Sequence, residues 1–168
     1  VCEEAAEKMV DMMVRCYGNP SSIHQMGFEA EQEMEAARET IAKYIGAKPG
    51  EITFTSCGTE ANNLAIFGAV QARRHSGNRV VTTAIEHPSV LQCMYQLEKR
   101  GYEVVRLQPD HTGHISEEEL SEAINDKTVL VSMMLVNNEV GTIQPIETAA
   151  KIIARKKSPA ILHVDAVQ

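Results

Sequence analysis

The chain has 168 residues, 43% of them hydrophobic and 23% charged, which is enough for a sizeable globular core. A formal net charge of −7, 4% aromatics and no Trp exclude the basic stripe and stacking platforms of a nucleic-acid or anionic-membrane binder. Cysteines at 2, 16, 57 and 93 lack CxxC spacing, so the chain reads as a reduced, cytoplasmic protein rather than a disulfide framework.

No apolar run approaches the ~18 residues of a membrane span, and the opening VCEEAAEKMV lacks the regions of a signal peptide. Residues 2–15 predict an amphipathic helix with Ala5, Met9, Val10, Met12 and Met13 on or near one face. Tyr17 to Ser22 is a loop by its Gly-Asn-Pro content. Residues 27–45 predict a long helix whose apolar positions are Met34, Ala37, Ile41 and Ile45, with Gly46 as its C-cap.

Strand and helix then alternate: strand 51–55, helix 59–74, strand 79–84, helix 88–100, strand 103–107, helix 116–125, strand 128–134, helix 146–156 and strand 160–165. Pro88 suits a first helical position, and Ser116 with Glu119 reads as a capping box. The alternation predicts an α/β fold, a mainly parallel sheet with helices on both faces. No repeat, linker or strong boundary interrupts it, so residues 1–168 read as one partial domain, cut at both ends.

If the strands are parallel, four strand ends meet at one sheet edge, where α/β proteins hold ligands. They carry Ser56-Cys57-Gly58-Thr59, Glu86-His87-Pro88, Asn137-Asn138-Glu139-Val140-Gly141 and Asp165 to Gln168. Each has a plain structural reading: Gly58-Thr59 as a tight turn and cap, His87 as a cap before Pro88, Asn137-Asn138 as a turn, Asp165 as a cap. Their joint placement points instead to a phosphate at a helix start, with an imidazole, carboxamides and a carboxylate around it. The sequence has no GxxxxGK[ST], GxGxxG after a strand, HExxH or GxSxG, and its six histidines lack metal-ligand spacing, so no metal is expected.

The stretches YGNPSSIHQMG, EITFTSCGTEANNLAI, TTAIEHPSV, VSMMLVNNEVGTIQPI and LHVDAVQ resemble, in this order, the motif series of class V pyridoxal-phosphate enzymes. They are most similar to the NifS/IscS-type cysteine desulfurases, and the likeness runs from about Tyr17 to Gln168. It implies the large domain of a fold-type I enzyme, with Gly58 and Thr59 on the phosphate of pyridoxal 5'-phosphate. It implies His87 stacked on the cofactor ring and moving protons, Asn138 on the phenolic oxygen with Gln168 beside it, and Asp165 on the pyridine nitrogen.

The resemblance further implies L-cysteine as substrate, L-alanine and an enzyme persulfide as products, a sulfur-acceptor or scaffold protein, iron–sulfur cluster assembly and a homodimer. Cys57 falls in the phosphate-loop motif, whereas the family's persulfide cysteine lies on a loop nearer the C-terminus. The family's Schiff-base lysine follows the DAVQ strand. Neither that lysine nor that cysteine is matched in these residues, and the C-terminal small domain is not matched either, so the chain alone is expected to be inactive. The alternatives are a selenocysteine lyase or another class V enzyme, or a non-catalytic split or degenerate binding module.

Overall fold

A computed structural model describes residues 1–168. Contacts divide them into two compact units, Val1–Phe54 and Thr55–Gln168.

The first unit holds helices α1 (Glu3–Val14) and α2 (Gln25–Ile45). The His24 side chain caps α2 by accepting from the Gly27 N–H at 3.2 Å. The helix ends on Gly46 at φ 71°, a left-handed conformation that glycine adopts without strain. The buried positions of α2 are Gly27, Ala30 and Ala42, not the larger apolar set of the sequence reading. Ile41 and Ile45 are exposed, and α1 buries no residue at all, so Met9, Val10 and Met13 face outward. Spacing identifies an apolar stripe but not what covers it.

The predicted strand at 51–55 is absent. Pro49–Glu51 is a 3-10 turn, because Pro at its start presets helical φ, and the Lys48 N–H donates to Glu51 Oε2 at 2.8 Å. Ile52 is extended (φ −95°, ψ 124°), but no strand pairs with it. An extended residue becomes a strand only by pairing, and here pairing is lacking.

The second unit contains α3 (Gly58–Ala72), β1 (Arg79–Thr83), α4 (Pro88–Lys99), β2 (Glu103–Leu107), α5 (Glu117–Ala123), β3 (Thr128–Met134), α6 (Ile146–Arg155) and β4 (Ile161–Asp165). The four strands form one parallel sheet in the order β2-β1-β3-β4. Val80 opposite Leu130 and Val81 opposite Val131 set the central register. Alternation sends Val80 to a core with Ile66 and Val70 of α3 and Met94 and Leu97 of α4. Val81 and Val131 point the other way, to Leu120 of α5 and Ile152 of α6. Each fully buried aliphatic side chain contributes about 1.5–3 kcal/mol.

Pro88 does open α4. Of the expected capping box at α5, the Ser116 hydroxyl accepts from the Glu119 N–H at 3.3 Å, while the same hydroxyl donates to Glu118 at 2.9 Å. The strand order places a switch point between β1 and β3. The chain leaves β1 toward β2, then crosses back to β3 and β4. The helices that follow, α4 after β1 and α6 after β3, pack on opposite faces of the sheet, the arrangement in which α/β folds open a crevice at the C-terminal strand ends.

Candidate functional site

The crevice is built from the ends of β1, β3 and β4 and the start of α3. Gly58, Thr59, His87, Asn138, Asp165 and Gln168 all line one cavity of about 340 Å³. All six candidate residues from the sequence are therefore neighbours in space.

The α3 start is shaped by its sequence. Cys57 is extended at the N-cap position, and the first intrahelical bond runs from the Ala61 N–H to the Cys57 carbonyl at 3.1 Å. The amides of Gly58, Thr59 and Glu60 precede that bond and have no partner within the helix. Glu60 folds back and accepts from the Ser56 N–H at 2.6 Å and the Ser56 hydroxyl at 2.7 Å, which fixes the elbow. The exposed Cys57 thiol is held below the usual range by the Glu60 backbone N–H and the Ser56 hydroxyl. A Cβ on Gly58 would meet Val167 Cγ2 at 3.4 Å, a van der Waals contact between two residues that line the cavity.

His87 does cap a helix, as its plainer reading holds, and it lines the cavity as well. Its Nδ1 accepts from the Ser89 N–H at 3.1 Å and lies 2.8 Å from Ser89 Oγ. Asn137 is the turn residue of its pair. Its Oδ1 accepts from the Glu139 and Val140 N–H groups, both at 2.9 Å, and its Nδ2 donates to the Ile85 carbonyl at 3.1 Å. That pins the β3 loop to the β1 loop and leaves Asn138 exposed at the cavity. Asp165 is half-buried, and its Oδ1 accepts from the Val167 N–H at 3.2 Å.

Three residues of this region escaped the sequence reading as functional candidates. Asn62, on α3, and Ser89, on α4, are buried and connect Asp165 to His87. Glu86 is 4% exposed; its Oε1 accepts from the Thr83 hydroxyl at 2.6 Å and the Met134 N–H at 2.9 Å, and its Oε2 has no partner. Burial pushes the Glu86 carboxyl up to about 7, against those two hydrogen bonds, and nearby Asp165 adds to the rise. The available signal was a polar residue one turn into α3, on the side that carries Ile66 and Val70.

A crevice at a switch point, with a helix start, an imidazole and a strand-end carboxylate, lies where doubly wound α/β folds hold their ligands. The Aminotransferase class-V family profile matches residues 1–168, and the chain belongs to that family. It is 46% identical over 171 residues to cysteine desulfurase IscS of Glaesserella parasuis, covering 100% of this chain and 42% of that protein. A NifS-like protein of known structure superposes with a TM-score of 0.94 at 42% identity, covering 100% of this chain and 46% of that one. The structure of SspA in complex with cysteine gives a TM-score of 0.90 at 38% identity, over 100% of this chain and 48% of that one. The chain thus spans less than half the length of each of these relatives.

Proposed function

We propose that these residues form most of the cofactor-binding domain of a pyridoxal-phosphate-dependent cysteine desulfurase. The observation that carries this reading is the convergence of six motif residues on one cavity, in a chain 46% identical to cysteine desulfurase IscS.

The donor set suits pyridoxal 5'-phosphate. The amides that open α3, with Gly58 and Thr59, suit the phosphate, because a helix N-terminus presents free N–H groups and a positive dipole end. The Asp165 carboxylate suits a protonated ring nitrogen. Asn138 and Gln168 offer carboxamides to the phenolic oxygen, and His87 offers an imidazole beside the ring. When bound, the group supplies an electron sink for the α-carbon of an amino acid. In that setting Asp165 holds the ring-nitrogen proton and His87 holds or moves a proton at the substrate.

On this reading the substrate is L-cysteine, the products are L-alanine and an enzyme persulfide, and a sulfur-acceptor or scaffold protein for iron–sulfur assembly takes the sulfur. The family's cofactor lysine, persulfide cysteine and small domain are not matched in these 168 residues, so on this reading the chain alone is inactive, and the working enzyme is a homodimer. On the same reading the protein works in the reducing cytoplasm, where its four cysteines stay free. The test is titration of the chain with pyridoxal phosphate, followed by cofactor absorbance. Saturable binding is expected, weakened by Asp165→Ala and competed by inorganic phosphate. Absence of saturable binding would overturn the reading.

A further inference from the structure

The buried Asn62 amide nitrogen sits 2.9 Å from Asp165 Oδ2 and 2.9 Å from Ser89 Oγ. An amide nitrogen carries two hydrogens, so both contacts are donated by Asn62. The orientation of the amide follows from chemistry: turned over, its oxygen would face the acceptor oxygens of Asp165. Ser89 Oγ accepts from Asn62, which leaves its own hydrogen for His87 Nδ1 at 2.8 Å. The Ser89 backbone N–H, an obligate donor, reaches the same Nδ1 at 3.1 Å. Nδ1 therefore accepts twice, and the neutral ring carries its hydrogen on Nε2.

We propose that Asn62 and Ser89 are a positioning pair that joins Asp165 to His87 in one directed hydrogen-bond chain and reinforces the Nε2–H tautomer that the Ser89 backbone N–H already sets on His87. The purpose assigned to the pair rests on the cofactor-site reading above. The two ends of the chain come from different elements: Asp165 closes β4, and His87 precedes α4. Asn62 on α3 and Ser89 on α4 bridge them within the cavity wall, where both are at most 8% exposed. The two buried members, Asn62 and Ser89, are held in a single geometry by these bonds, because rotating either would leave a desolvated donor or acceptor unpaired. With Val167 on its other oxygen, Asp165 has both oxygens engaged and its carboxylate plane fixed. Neither Asn62 nor Ser89 needs to touch cofactor or substrate to act this way.

The experiment uses the chain labelled with 15N-histidine, observed by NMR at neutral pH, alongside pyridoxal phosphate titrations. Wild-type His87 should show the Nε2–H pattern. Asn62→Leu should move the His87 Nδ1 resonance although the two residues are not in contact. That response should disappear in the Ser89→Ala background and survive in Ser89→Thr, which keeps a hydroxyl. Circular dichroism confirms that each variant is folded. Asn62→Leu and Ser89→Ala should each weaken pyridoxal phosphate by about tenfold, with the double variant close to either single one. An Nδ1–H pattern in the wild type, an unmoved resonance in Asn62→Leu, or an equal movement without the Ser89 hydroxyl overturns the hydrogen-bond chain. Unchanged affinity in both variants overturns its service to the site. If wild type fails to bind the cofactor, it is the functional reading that falls, and the resonances still decide the hydrogen-bond chain.

Discussion

Replacing Glu86 with Gln is expected to stabilise the chain above neutral pH and to leave it nearly unchanged in acid. Glu86 is buried with one oxygen paired twice and the other unpaired, and burial raises its carboxyl from 4.5 to about 7. The folded state thus holds the Glu86 proton more tightly than the unfolded state. Its contribution is fully present below about pH 4.5, declines as pH rises, and is lost on passing about pH 7. A difference of about 2.5 between the folded and unfolded values corresponds to roughly 3 kcal/mol, at about 1.4 kcal/mol for each tenfold. Gln keeps an acceptor for Thr83 and Met134 and cannot ionise. The assay is urea unfolding of wild type and Glu86→Gln across about pH 4.5 to 8, reading the difference, which cancels other titrating groups. The gap should open by roughly 3 kcal/mol toward high pH. A difference that stays constant over this range refutes the argument that a charge is being forced into a buried site.

The remaining expectations concern the cofactor and the backbone. In a protein that carries the rest of the family's length, Asp165→Ala should lower alanine and sulfide production from L-cysteine by about 100- to 1000-fold, and Cys57→Ala by about tenfold or less. Loss of turnover in Cys57→Ala with cofactor still bound would make Cys57 the sulfur carrier. Borohydride reduction of the 168-residue chain with pyridoxal phosphate, followed by peptide mapping, should label no single lysine stoichiometrically; one fully labelled lysine would reverse that expectation. Gly77→Ala should cost about 1–3 kcal/mol in urea unfolding, because its Cβ would lie 2.1 Å from the Lys127 carbonyl oxygen. That carbonyl also accepts from Arg79 N–H at 3.0 Å, where the β1 ladder begins, so an unchanged midpoint would show that the loop shifts freely.

Much of the second unit was legible in the chain itself. Short-range rules identify β1 to β4 and α3 to α6 to within a few residues, because hydrophobic period, Pro88 at a helix start and Ser116 as a cap all act over one or two turns. The motif residues at strand ends were legible for the same reason: parallel strands bring successive loops to one edge, so chain order already implies proximity. What the sequence could not decide is what depends on partners far along the chain. Ile52 has extended dihedrals but no strand beside it, and Ile41 and Ile45 carry an apolar stripe that is not the buried one. The order β2-β1-β3-β4, and with it the switch point, is set by how the two apolar faces of the sheet are covered. Asn62 reaches Asp165 across 103 positions, and Glu86 reaches the Met134 amide across 48. In the sequence these look like a helix-surface amide and a loop carboxylate. Only burial turns them into obligatory hydrogen-bonding groups, because a desolvated polar atom must find its partner wherever the fold has put one.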